Sequence, residues 1–154
     1  MASKFKYTKL CDSYLCLMKH WLIKSEPFKY SWAQFEQDGS TFWDGVRNYQ
    51  ARNNLKDMKV GDLCLFYHSN EGKEVVGIAK VIRSHYPDPT ADSEQWVCVD
   101  VEPFQPLPRP VSLAEMKSDT RLAQMALIKQ SRLSVCPVSR PEFDAILQLA
   151  NEGA

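Results

Sequence analysis

The chain has 154 residues, 44% of them hydrophobic and 25% charged, with 19 basic side chains against 19 acidic ones. That length is one ordinary domain, and that composition excludes the disordered and fibrous classes. Zero net charge excludes a long-range field that would draw in a polyanion, but residues 1–60 hold ten Lys and Arg against six Asp and Glu, leaving one face free to be basic.

The first 19 residues carry Lys4, Lys6, Lys9 and Lys19 without sustained periodicity and are expected to be a partly disordered extension to a domain over residues 20–154. The apolar run from Tyr14 to Met18 is too short for a signal-peptide core and lacks a small-residue cleavage site behind it. No stretch approaches the roughly 20 apolar residues that span a bilayer. Five cysteines, Cys11, Cys16, Cys64, Cys98 and Cys136, are odd in number and widely spread, the usage of a reducing compartment. The expectation is a soluble protein of the cytoplasm or nucleus with no membrane partner.

Trp21-Leu22-Ile23 reads as a first strand, ended by Ser25-Glu26-Pro27 because proline cannot donate to a ladder. Ser31 and Gln34 have capping-box spacing and open a short helix through Phe35. After the turn at Asp44-Gly45, helix formers run from Asn48 to Met58. Leu63, Leu65 and Tyr67 alternate with Cys64, Phe66 and His68, and both sets are apolar enough for a central strand buried on both faces. Asn70 to Lys73 supplies a hairpin, and the returning strand Val75–Ile82 contains Gly77, which marks a bulge or a close approach. Tyr86 to Thr90 reads as a loop, Trp96 to Val101 as a third strand, and Pro103 to Pro110 as a proline-rich connection. Ser112-Leu-Ala-Glu115 is a second capping box, opening interrupted helix to about Ile128. Leu133 to Val138 is a last short strand. Ser139-Arg-Pro-Glu142 caps a final helix with Phe143, Ile146, Leu147 and Ala150 on one stripe. Strands in the middle and helices at the flanks favour an α+β fold, a closed or half-closed mixed sheet decorated by helices, over alternating βαβ units.

Three constellations carry chemistry. From Phe42 to Asn53 aromatic, amide and guanidinium groups alternate across a turn and a helix start, with Trp43, Arg47, Asn48, Tyr49 and Arg52 among them. Bases are held by such mixtures: an aromatic face for stacking, amides for the base edge and cations for phosphate. The bland alternative is that Trp43 and Tyr49 are core aromatics and Arg47 and Arg52 are surface charges. Phe66-Tyr67-His68-Ser69 ends the central strand, where Tyr67 and Ser69 share one face and His68 the other. Lys24-Ser25 leaves the first strand with a cation and a small hydroxyl together.

These residues resemble the EVE domain family within the PUA-like superfamily. The resemblance runs through His20–Pro27, Trp43–Asn53, Met58–Asp62, Phe66–Ser69, Gly77-Ile78, Asp88–Thr90 and Ser131–Val135, covering roughly residues 20–150. It implies a PUA-like pseudo-barrel of mixed strands flanked by helices, and a pocket suited to a modified base, such as methylated or hydroxymethylated cytosine in DNA. It also implies kinship with YTH domains, which hold methylated adenine in RNA in an aromatic cage. By that likeness Lys24 and Ser25 sit beside the bound nucleotide and Trp43 is a wall of the cage. Arg47, Asn48, Arg52, Tyr67 and Ser69 join them by block membership and chemistry. The expected function is non-catalytic recognition of a modified base in nucleic acid, or of a free nucleotide, without cofactor.

Rival readings stand beside this one. ASCH-like PUA folds include small hydrolases and nucleases, and Lys24 near Glu26 or His68 could act as a general acid or base. No nucleophile elbow, Walker loop or His-Glu-x-x-His accompanies them. Cys11, Cys16 and His20 lack the fourth donor of a structural zinc site, and the final helix has only the stripe that an ordinary core-facing helix needs.

Overall fold

The computed structural model describes residues 18–152, so the expected extension, with Cys11 and Cys16, lies outside the described residues except at its edge. Six strands form one mixed sheet in the order β2-β5-β4-β3-β1-β6. β1 (His20–Ser25) and β3 (Leu63–His68) are neighbouring inner strands and run parallel, His20 beside Leu63 through Ser25 beside His68. β6 (Val135–Val138) pairs antiparallel with β1, and β4 (Glu74–Pro87) pairs antiparallel with β3. β5 (Val97–Ser112) lies against β4, and the two-residue β2 (Thr41–Phe42) closes the far edge. No ladder among the described residues joins β2 to β6. Register shifts along β3/β4 and β4/β5 mark bulges, which bend strands and increase twist.

The helices form where the sequence offers caps. α1 (Trp32–Asp38) starts at Ser31, whose hydroxyl accepts from Gln34 N, but the reciprocal half of the expected box is missing because Gln34 Nε2 donates to Asp38 Oδ1. α2 (Tyr49–Asp57) is capped by Asn48. Complete capping boxes open α3 (Leu113–Ser118) at Ser112 and Glu115, and the final helix, α5 (Arg140–Asn151), at Ser139 and Glu142. Between them lie a 3-10 turn at Thr120–Leu122 and α4 (Ala126–Lys129), the interruption read from the sequence. Phe143, Ile146, Leu147 and Ala150 of α5 are buried as one stripe.

Two loop expectations are corrected. Tyr86 and Pro87 belong to β4, and the prolines from Pro103 to Pro110 lie inside β5. Beyond Val101, β5 has a ladder partner only in β4, since β2 pairs with Asp100 and Val101 alone. A strand with one unpartnered edge tolerates residues that cannot donate.

Gly77 marks a close approach as well as a bulge. A β-carbon there would sit 2.5 Å from Cζ2 of Trp32, so α1 docks on β4 only because that side chain is a hydrogen. The contact anchors an aromatic cluster in which Phe66 stacks on Phe35 at 5.3 Å and meets Trp32 and Trp43 edge-on at 5.3 and 5.6 Å. Asp62, also buried, closes the other end of the sheet. Its carboxylate accepts from Trp21 Nε1 at 3.0 Å and from the backbone N–H groups of Lys19 and Lys59, which satisfies a buried charge.

Candidate nucleic-acid interface

β1 and β3 run parallel, so their C-terminal ends emerge side by side. Ser25 and Ser69 therefore meet, with Ser69 N donating to Ser25 O at 2.9 Å. Above them opens a cavity of about 540 Å³ lined by Lys24, Ser25, Tyr30, Trp43, Ser69 and Arg132, with Glu26, Lys29 and Asp44 also on its wall. That volume is within the range of small-molecule pockets. Trp43 is 9% exposed and still forms part of the lining. The indole is held edge-on by Phe66 at 5.6 Å and by Tyr30 at 6.3 Å.

The polar wall is already partly committed. Ser25 Oγ donates to Tyr30 O at 2.5 Å, which leaves its lone pairs as acceptors toward the cavity. Lys24 Nζ donates to Ser131 O at 2.7 Å, and burial pushes its pKa below the usual lysine value. The ammonium keeps two further donors. Tyr30 donates its hydroxyl to Asp38 Oδ2 at 2.9 Å, and burial with that bond lifts its pKa to about 12. At the rim Glu26 accepts from Asn70 Nδ2 at 2.6 Å and pairs with Lys29 at 3.0 Å.

The eight residues singled out in the sequence are not all in one place. Lys24, Ser25, Trp43 and Ser69 line the cavity together. Tyr67 is buried and lines a neighbouring hollow of about 220 Å³ that shares Lys24, Ser69 and Ser131 with the first. Asn48 lies in another hollow, and its side-chain oxygen accepts from Ala51 N as the cap of α2. Arg47 leaves the cavity altogether: its guanidinium pairs with the fully buried carboxylate of Asp88 at 2.9 Å and reaches Thr90. Arg52 packs over the rings of Tyr49 and Trp96, which lie 5.2 Å apart. The helix that starts after Asn48 carries Arg52 toward Trp96, and Asp88 draws Arg47 aside, changes of direction that one-dimensional spacing does not carry.

Asp88 explains the block from Asp44 to Arg47. Burial alone would raise its pKa, but hydrogen bonds from the Thr90 hydroxyl, the Gly45 and Thr90 amides and Arg47 outweigh it and hold it at about 2. Gly45 adopts φ 77°, a left-handed conformation that suits glycine, and aims its N–H at Asp88 at 2.9 Å. The Trp43 turn is thereby fixed from behind.

Tyr30, Ser131 and Arg132 are among the lining residues that sequence reasoning missed. Tyr30 falls between a strand and a cap. The 131–135 block resembles the family, but nothing local tied it to Lys24. His68, a candidate base, accepts from Trp32 N at 3.1 Å through Nε2, and burial lowers its pKa. It is not among the residues lining the cavity.

A mixed sheet flanked by helices, with an aromatic and polar hollow where two parallel strands end, defines an α+β domain of the PUA-like class. The chain belongs to the EVE domain family, whose model matches residues 19–149. Thymocyte nuclear protein 1 of Homo sapiens is 35% identical over 167 residues, covering 86% of this chain and 74% of that protein. A crystal structure of a protein from Agrobacterium tumefaciens is similar with a TM-score of 0.84 and 46% identity, covering 86% of this chain and 92% of that one. The human THYN1 protein, solved in complex with DNA containing 5-methylcytosine, has a TM-score of 0.82 and 34% identity, covering 88% and 99%. An ASCH protein from Zymomonas mobilis, 14% identical with a TM-score of 0.55, is alike in fold alone.

Proposed function

We propose that this domain is a non-catalytic module that holds a modified nucleobase of a nucleic acid, methylated cytosine in DNA first among the candidates, in the cavity at the end of β1. The observation that carries the reading is the convergence of Trp43, Lys24, Ser25 and Ser69 on one hollow of about 540 Å³. Its kinship with a human protein solved with 5-methylcytosine DNA supports the choice of base.

Ser25, with its proton committed to Tyr30 O, offers an acceptor suited to an exocyclic amino group. Lys24 offers donors suited to a base carbonyl. Stacking against Trp43 would contribute on the order of 1–3 kcal/mol. A methyl buried in an apolar niche adds roughly 0.8 kcal/mol, so discrimination from the methyl alone is about fourfold.

The test is a titration at stated salt with matched oligonucleotides that differ only in the base modification. Trp43→Ala is expected to abolish the preference, and Ser25→Ala, which removes an acceptor for an amino group that both bases carry, is expected to weaken binding of both oligonucleotides. The second variant removes only a hydroxyl and serves where loss of a buried indole prevents folding. Preference unchanged in folded Trp43→Ala, or affinity unchanged in Ser25→Ala, would remove this cavity from recognition. Incubating the protein with modified nucleosides and analysing products separates binding from the ASCH-like hydrolytic alternative.

A further inference from the structure

Residues on the loop after α4 form a second hollow beside the first. It has a volume of about 340 Å³ and is lined by Asn48, Gln50, Lys129, Gln130, Ser131, Arg132 and Leu133. Ser131 and Arg132 line both hollows, which places the second directly beside the first.

The second hollow carries two cations, Lys129 and Arg132, and no acidic side chain is among its lining residues. Of the other cations, Arg47 is paired with Asp88, Lys29 with Glu26, Arg109 with Glu115 and Arg121 with Asp119. Lys129 and Arg132 are exposed and take part in no ion pair among the described residues. Two uncompensated cations, three side-chain amides and a serine hydroxyl around a polar hollow are suited to an anion with several acceptor oxygens.

The structure commits Arg47 to Asp88 and ties Lys24 to Ser131 O, so neither is as free to meet a backbone phosphate as Lys129 and Arg132. We infer that the Lys129–Arg132 hollow seats the phosphodiester next to the base held in the first cavity, with Ser131 and Arg132 as the partition between base and phosphate. The inference rests on the base-binding reading for its register and deepens it by naming the backbone subsite. An Arg fork reaches two phosphate oxygens while Lys acts as a point charge.

The experiment uses three probes on the full chain: a modified-base oligonucleotide, its unmodified match, and a deoxyribose-phosphate oligomer without bases. Lys129→Gln, at an exposed position that lines only the second hollow, is expected to lower affinity for both base-bearing oligonucleotides by the same factor, leaving their ratio unchanged, and the double variant with Arg132→Gln is expected to lose more affinity for both. The slope of log K against log salt should fall by about 1.4 on single strands. The base-free oligomer should shift the amide resonances of residues 129–132 and 48–50 in the wild type and not in the double variant. An unchanged salt slope, or no shift at those amides, overturns the phosphate subsite whatever the base titrations give. Loss of modification preference in Lys129→Gln would overturn the division of labour. Failure of the base reading is seen separately, as Ser25→Ala keeping full affinity for both base-bearing oligonucleotides while the double variant still loses its salt slope.

Discussion

Replacing Gly77 by alanine should reach the cavity from behind. The new β-carbon would lie 2.5, 2.6 and 2.7 Å from Cζ2, Cη2 and Cε2 of Trp32, whereas carbon atoms settle at about 3.5–4.0 Å. The ring must therefore retreat by roughly 1 Å. Among the described residues Trp32 Nε1 has no hydrogen-bond partner, so packing fixes the ring and no bond to them breaks as it moves. Phe35 and Phe66 stand directly behind it at 5.5 and 5.3 Å between centroids, in an interior with little spare volume. Overpacking of this kind costs about 1–3 kcal/mol, and for a chain of this length about 2 kcal/mol lowers Tm by roughly 4–8 °C. Because Phe66 also supports Trp43, affinity for the modified oligonucleotide should fall in the same variant. The assay is a double-mutant cycle of thermal or urea melts with Gly77→Ala, Trp32→Phe and both. The smaller ring should relieve much of the clash, so the two changes should couple favourably. Additivity to within about 0.5 kcal/mol, or an unshifted Tm, would refute the close-approach argument.

Other outcomes follow from the charged groups. Asp88 is held at about 2 against an ordinary value of 3.8, so it contributes about 2 kcal/mol of stability that is present above pH 3.8 and lost as pH falls through about 2. Asp88→Asn should lose about that much near neutrality, with the gap between variant and wild type closing in acid; a gap independent of pH would contradict this. Burial lowers the pKa of His68, and of His20, where Asp144 and Asp62 oppose it and Arg140 adds to it. A lowered histidine stabilises the fold above its ordinary value of 6.5 and loses that contribution as pH falls below it. His68→Gln, which keeps an acceptor for Trp32 N, should flatten the decline in urea stability between pH 7 and 5, and an unchanged slope would show that His68 is not one of its sources. Ser139→Ala, at a complete capping box, should cost about 1 kcal/mol in urea melts; no loss would mean that tertiary packing alone holds the start of α5.

Much of the scaffold was legible because its signals are local. Ser112 with Glu115 and Ser139 with Glu142 announce helix starts by a spacing that lets two side chains satisfy two backbone groups. The unbroken apolar character of Leu63 to Tyr67 marked a strand covered on both faces, and Gly77 announced a tight spot. Lys24, Ser25, Trp43 and Ser69 carry the chemistry of a binding wall in their own residue types.

What the chain order could not supply was direction and partnership across long separations. Asp88 lies 41 positions from Arg47 and takes that guanidinium out of use, while Ser131 lies 107 positions from Lys24 and joins it. The prolines of β5 read as a connection until β4 was known to be its single partner there. Local spacing fixes which backbone groups a residue can satisfy by itself. Which cation stays free to meet a ligand depends on what the folded sheet places opposite it, and that is settled only when strands distant in sequence lie side by side.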